Sequence, residues 1–410
     1  MIERECDRVR ERNYFPYVHD DVREVRSSSS KCRGYLVLFT LLAALSVALA
    51  GPWVYSDNEE PAEGTIRVTT IGSGTPDVRR HQVASSFLIE VGNGEKFIFD
   101  MGTGSYINLI ATGVPAAKLN KVFLSHLHSD HHADLASLYV GAMFGRTKPW
   151  EVWGPSSEKP ELGLAASIEG LRQFLAWDTF ARRRVDMIGR VDHGDEVIAH
   201  EFDYSVEKQL IYSRNGVNIT STPVQHYTTA GPVALRLDYN GLSVTYSGDT
   251  HPTKTLNELA KGTDVLIQQI MGPLPAFDTL SYESQYLLNT SHFTPTQAGE
   301  IFDDVKPRLS VIHHATVNEA SREPLLAAVR TVYTRGALVI NEDLAVYDIS
   351  KDGIRHRKRI VPERSWGLWH AEQNWNSLDD DVTADISAPR ADAAAPRGGR
   401  LIANSGNAVA

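Results

Sequence analysis

Four candidate metal ligands fall within six residues: His126, His128, Asp130 and His131, in the run Leu124-Ser125-His126-Leu127-His128-Ser129-Asp130-His131-His132. The residues before them, 121–124, read as a strand running into a polar turn and then a helix. In extended backbone, residues two apart point the same way, so His126 and His128 can close on one ion. Where the chain bends towards the helix, Asp130 and His131 can turn to a second. Imidazole and carboxylate donors suit zinc, manganese or ferrous iron. Thiol chemistry is excluded, because the two cysteines, Cys6 and Cys32, both precede an apolar run at 35–50. The main body therefore has no thiolate ligand, cysteine nucleophile or internal disulfide.

The elements that must position these residues are short β-rich runs at 65–71, 85–91, 96–99 and 121–124, broken by glycines. A helix is expected from near 133 to 144, helical structure over 160–182 and strands within 196–223. Strands 234–239 and 242–246 are joined by Asn240-Gly241, a strong hairpin signal. The second half alternates in the same way, with helix 252–260, strand 264–268, helix 296–303, strand 309–312 and helix 319–332. Strand clusters in both halves, interleaved with helices, define an α/β protein with two packed sheets and helices outside. Residues 60–360 form the expected catalytic domain. The segment 156–215, with Trp177, Phe180 and Arg182-Arg183-Arg184, reads as ordinary helix and strand, with a lid or subunit contact as the alternative. From 377 to 410 the composition turns to Ala, Asp, Pro, Gly and Arg without apolar period, as expected of a disordered tail.

Residues 1–33 are a polar lead ending in Arg23, Arg26, Lys31 and Arg33. Residues 34–50 are apolar and close in Ala48-Leu49-Ala50, the pattern of a signal peptide, or of a signal anchor if 52–55 extend the span. Cations precede the run and Asp57, Glu59 and Glu60 follow it, so the main body is expected to be exported, periplasmic or secreted, with membrane contact only through this segment. With 41 Lys and Arg against 51 Asp and Glu, the formal charge is −10. That argues against a surface built to neutralise a phosphate backbone.

His-x-His-x-Asp-His resembles the signature of the metallo-β-lactamase superfamily. Ile71-Gly72-Ser73-Gly74-Thr75-Pro76, Phe99-Asp100-Met101-Gly102-Thr103-Gly104, Val152-Trp153-Gly154-Pro155 and Tyr246-Ser247-Gly248-Asp249-Thr250 resemble its tRNase Z and arylsulfatase-like branch. The similarity covers roughly residues 65–350. More narrowly, the core is similar to exported metallohydrolases of the guanitoxin-biosynthesis type. The resemblance implies the four-layer αββα sandwich of that superfamily. It also implies that His226 completes the first site with His126 and His128, and that Asp249 bridges two ions. The last ligand comes from His313-His314; the family pattern favours His314, and adjacent residues leave a strand on opposite sides, so both should not serve one ion. His292 stands where the branch carries a histidine before a helix. Thr294, Pro295 and Gln297 have structural reasons to be there, as N-cap, first helical residue and capping-box partner. His292 has none, and is expected to donate a proton or steady an oxyanion. Where the branch commonly has His-Glu, this chain has Gln268-Gln269, and a neutral amide cannot act as a base. His132 and His251 are expected near the site without being ligands.

The implied enzyme is a hydrolase with two divalent ions, zinc first and manganese or iron as alternatives. A shared hydroxide would cleave a small anionic ester such as a phosphodiester or aryl sulfate. Asp130, Asp249 and His292 would carry the chemistry. Lactone or β-lactam hydrolysis is the alternative reaction, and a metal-binding protein without turnover the alternative class. The expected partner is a small molecule. Nucleic acid is disfavoured, and a homodimer is left open, with Trp366, Trp369 and Trp375 as candidate contacts.

Overall fold

The computed structural model describes residues 59–361 except 116–117, 144–145, 184–192, 228 and 272–279. The lead, the apolar run 35–50, the three tryptophans Trp366, Trp369 and Trp375, and the 377–410 tail lie outside the described residues. Among the described residues, no helix is long and apolar enough to cross a membrane.

The first sheet orders its strands β15 (Ile354–Lys358), β14 (Ala345–Ile349), β1 (Ile66–Gly72), β2 (Ser86–Val91), β3 (Lys96–Met101), β4 (Lys121–Phe123), β5 (Trp150–Pro155) and β6 (Val197–Phe202). The second orders β13 (Leu338–Ile340), β12 (Leu309–His313), β11 (Val265–Gln269), β10 (Leu242–Tyr246), β9 (Val233–Tyr239), β8 (Val217–Pro223) and β7 (Gln209–Arg214). Alternation along each strand divides its side chains between two faces. Inward residues of both sheets, such as Phe87, Ile89, Phe97 and Phe99 against Val233, Leu235, Val265 and Ile267, share one buried core. The outward face of the first sheet, with Leu88, Ile98 and Val122, packs on α1 (Ser105–Ala111), α3 (Leu135–Gly141) and α4 (Leu164–Phe174) through Leu109, Leu135, Leu138 and Ile168. The outward face of the second, with Ala234, Leu266 and Ile312, is covered by α6 (Lys254–Ala260), α8 (Pro295–Val305) and α9 (Glu319–Arg330) through Leu256, Ile301, Phe302 and Leu325. Three cores between four layers make the αββα sandwich.

Most expected elements are present within a residue or two, including the hairpin at Asn240-Gly241, whose residues both have positive φ. The differences have local causes. The helix expected from 133 is two pieces, a single turn α2 (Ser129–His132) and then α3, and the first carries Asp130 and His131. Helix α7 (Tyr282–Ser291) is not evident in the sequence because its residues, Tyr-Glu-Ser-Gln-Tyr-Leu-Leu-Asn-Thr-Ser, have little amphipathic contrast. Strands β13, β14 and β15 are short, and only pairing with strands already in place identifies them. The described parts of 156–215 are ordinary structure: α4, α5 (Ala176–Arg183), β6 and β7.

Candidate metal centre

Topology explains why distant residues meet. Strands β10, β11 and β12 run parallel, and β8 runs the same way because both it and β10 are antiparallel to β9. His226, Asp249 and His314 follow β8, β10 and β12, so all three emerge from the same edge of the second sheet. In the first sheet β3, β4 and β5 are parallel, and the His126–His131 segment follows β4. The two edges are stitched together there: Val233 N–H donates to Ser125 O at 2.9 Å, and His314 N–H to Ser73 O at 3.2 Å. Two glycines permit the approach. A Cβ on Gly102 would lie 1.9 Å from Asp130 O, and one on Gly248, which has φ 58°, would lie 2.8 Å from Val233 O.

The seven candidate ligands form two groups. His126, His128 and His226 bring three ring nitrogens together; Asp130, His131, Asp249 and His314 form the second group; within each, the ligand atoms lie within 4.8 Å of one another. In the first group His126 Nε2 is 3.1 Å and His226 Nε2 is 3.3 Å from His128 Nδ1. Nitrogens bound about 2.0–2.1 Å from a tetrahedral zinc would stand about 3.3 Å apart, so the spacing fits. The protons are accounted for elsewhere. His226 Nδ1–H donates to Ser291 O at 2.9 Å. Ser125 Oγ–H donates to Asp100, so it accepts from His126 Nδ1–H at 3.1 Å. Two lone pairs therefore converge on His128, where one proton could satisfy only one of them. Burial pushes all three imidazoles below the usual histidine range, His126 furthest, which keeps them neutral and able to ligate.

In the second group His314 Nε2 lies 3.0 Å from Asp130 Oδ2 and 3.3 Å from Asp249 Oδ2. His131 Nε2 faces the same two carboxylates at 3.4 and 3.5 Å, and makes no hydrogen bond; Asp249 Oδ1 is equally buried and without a partner. Burial alone would depress the His131 imidazole, but Asp249, Asp100 and Asp130 hold it well above the usual range. Burial would raise the Asp249 carboxyl, yet His314 and His131 hold it well below. The surrounding carboxylates thus draw positive charge onto His131. Orphaned nitrogen and oxygen atoms in an N/O donor set fit a divalent cation. Asp249 also groups with His226 and His292, which puts it between the two clusters.

The choice between neighbouring histidines is resolved by backbone. His313 ends β12 on the inner face, bonded to Ser85 Oγ at 2.7 Å and Asn341 Nδ2 at 3.1 Å and packed 4.6 Å from the Phe87 ring. His314 adopts φ 55°, a left-handed conformation that turns its ring towards Asp130. His292 caps α7; its ring is 5.0 Å from that of His226 and 6.0 Å from that of His314, and burial lowers it to about 4. His132 Nδ1 bonds to His128 O at 2.8 Å, supporting a candidate ligand without joining either group. His251 N–H bridges to Gln225 O. Gln268 and Gln269 are buried, and Gln269 N–H donates to Ser247 Oγ at 2.9 Å beside Gly248-Asp249.

Asp100 joins the candidate site, a placement that sequence reasoning misses. It receives Ser125 N–H and Oγ–H at 2.7 Å each and Tyr246 Oη–H at 2.9 Å, and meets His131 Nδ1 at 2.8 Å. It sits at a bulge opposite β2 with φ 55°, which re-aims its side chain. The available signal is one acid in the apolar run Lys-Phe-Ile-Phe-Asp-Met.

A layered αββα sandwich with clustered His and Asp side chains at one edge defines a metallo-β-lactamase-fold protein. The model of the β-lactamase superfamily domain matches residues 111–315. Ribonuclease Z of Mycobacterium avium is 30% identical over 217 residues, half of this chain and 70% of that protein, and ribonuclease Z of Mycobacterium marinum 30% identical over 216 residues, half of this chain and 71% of its own length. The metallo-β-lactamase fold protein YhfI of Bacillus subtilis superimposes with a TM-score of 0.52 at 19% identity, covering 70% of this chain and all of that one. The chain belongs to the β-lactamase superfamily, in its tRNase Z-like branch. These matches say nothing of the narrower guanitoxin-type likeness. The ribonuclease name of the relatives weighs against disfavouring nucleic acid on net charge alone.

Proposed function

We propose that this protein is a two-metal hydrolase of small anionic esters, with phosphodiesters as the first substrate class. His126, His128 and His226 would hold one divalent ion, Asp130, His131 and His314 a second, and Asp249 both; zinc suits the donor set best. Such ions supply a nucleophile from water at neutral pH and polarise the group attacked. The observation that carries the reading is the pair of ligand groups, linked because Asp249 of the second also groups with His226 of the first.

The chain's own residues do the rest. Ser125, Asp100 and Ser291 fix the ring orientations of His126, His131 and His226. His292, neutral at pH 7 because burial lowers it to about 4, presents an N–H donor to the leaving oxygen rather than a standing positive charge. Near His314 a tight turn, Arg79 to Gln82, carries Arg80 and His81 at its exposed tip and is tied down by Gln82 Nε2 donating to Ala315 O at 2.7 Å. The Arg80 guanidinium there favours an anionic substrate. Ribonuclease relatives support phosphorus over sulfur as the centre attacked. We also place the catalytic unit outside the cytoplasm, on the cationic lead and apolar run that precede it; recovery of the intact protein from the cytosolic fraction would sink this.

The test is metal analysis joined to a panel of chromogenic phosphodiester, sulfate, lactone and β-lactam substrates. We expect close to two equivalents of metal and the highest turnover on the phosphodiester. Asp249→Asn should lose metal and at least about 100-fold in rate, whereas His292→Gln should keep its metal and lose about 100-fold or more. Full turnover by Asp249→Asn with normal metal content would overturn the proposal.

A further inference from the structure

We propose that Tyr227, Tyr286 and Tyr282 form a stacking platform for a planar aromatic group of the substrate, beside the scissile ester bond. The inference rests on the hydrolase reading and adds to it the aromatic character of the substrate.

Tyr227 directly follows His226. Tyr282 and Tyr286 lie one turn apart on α7, whose last residue, Ser291, accepts the His226 hydrogen bond and whose C-cap is His292. The Tyr227 and Tyr286 rings stand 5.6 Å apart at 87°, and Tyr282 continues the row at 6.3 Å and 28°. All three are exposed, by 57%, 45% and 76% for Tyr227, Tyr286 and Tyr282. At 1.5 Å rise per residue, Tyr286 lies about 7.5 Å along the helix from Ser291, within the span of a small aryl ester.

A single exposed ring requires no explanation. Here, a ring from the loop after β8 touches a ring of α7 in water; the first directly follows His226, and the second belongs to a helix whose C-cap is His292. The perpendicular pair offers the face of one ring and the edge of another, which is the corner a third ring fills by offset and edge-to-face contact. Aromatic contacts of this kind are worth roughly 2- to 10-fold in affinity beyond area burial, a gain that an alkyl group cannot match. The tyrosine hydroxyls keep the platform compatible with solvent when it is empty. The occupant is thus a planar ring on an anionic ester, whether a simple aryl group or a nucleobase.

Calorimetric titration of the zinc-reconstituted full chain with phenyl phosphate, methyl phosphate and cytidine monophosphate tests this without turnover. We expect phenyl phosphate to bind roughly ten-fold tighter than methyl phosphate. Tyr286→Ala and Tyr227→Ala should reduce that ratio to about two, and Tyr286→Phe should preserve it. Tighter binding of the nucleotide than of phenyl phosphate assigns the platform to a nucleobase; the reverse assigns it to a simple aryl ring. In parallel, kcat/KM for phenyl p-nitrophenyl phosphate over its methyl analogue, which share a leaving group, should fall in the alanine variants. Failure of phenyl phosphate to outbind methyl phosphate, including failure of both to bind, overturns the platform, as does a ratio unchanged in both alanine variants. A phenyl preference in binding with no turnover of either ester instead sinks the hydrolase reading and leaves the platform standing.

Discussion

Asp100 supplies none of the seven candidate ligands, yet its carboxylate receives Ser125 twice, Tyr246 once and His131 once. Through those contacts it orients His131 directly and His126 by way of Ser125. Outer partners of this kind commonly change metal affinity by about 10- to 100-fold. Asp100→Asn is therefore expected to weaken zinc binding by about that factor, measured by competition with a chromophoric chelator, because the amide must present N–H to a donor. An unchanged affinity would remove Asp100 from the site. At this scale the ligand-rich motif at 126–131 is legible from residue type and spacing. The role of Asp100 is not, since a lone acid in an apolar strand does not reveal which partners a bulge will aim it at. The preference for His314 comes from family pattern, and its physical cause is a positive φ that residue type does not announce.

At the scale of elements, the first sheet is tied at its β14 strand by Asp348, which accepts from Arg67 Nε on β1 at 2.7 Å and from Arg357 on β15 at 2.7 and 3.0 Å. Burial would raise this carboxyl, but the bonds from Arg357 and Arg67 hold it below the ordinary value. A depressed folded value contributes stability that is present above the unfolded pKa, near 4, and is lost as pH falls through the folded value. Asp348→Asn should cost about 2 kcal/mol at pH 7 in urea unfolding. The wild type's advantage should shrink below about pH 4; a gap that stays constant down to about pH 2 would refute the assignment. The same strands illustrate what pattern reading lacks. β-Rich runs such as 65–71 and 309–312 are evident from composition, whereas β14 exists because β1 offers it an edge, and β15 because β14 does.

For the whole molecule, seven ligands contributed by segments from His126 to His314 should couple metal occupancy to global stability. Ligand at about 100 times its Kd adds about 2.7 kcal/mol to the folded state. Chelation is expected to lower the thermal midpoint by several degrees, with zinc restoring it; a midpoint indifferent to chelator would deny that the clusters hold metal in the folded protein. The effect should also weaken as pH falls, because protons compete with metal for the same imidazoles.

Residue types and their spacing alone determined the layered α/β class, the cysteine-free chemistry of the main body and the central His and Asp motif, since each follows from alternation, composition or the reach of adjacent side chains. Tertiary structure decided which remote residues join that motif. Convergence depends on strand direction, the abutting of two sheet edges over Gly102 and Gly248, and left-handed turns at Asp100 and His314, and no local pattern encodes how far apart two such edges will stand.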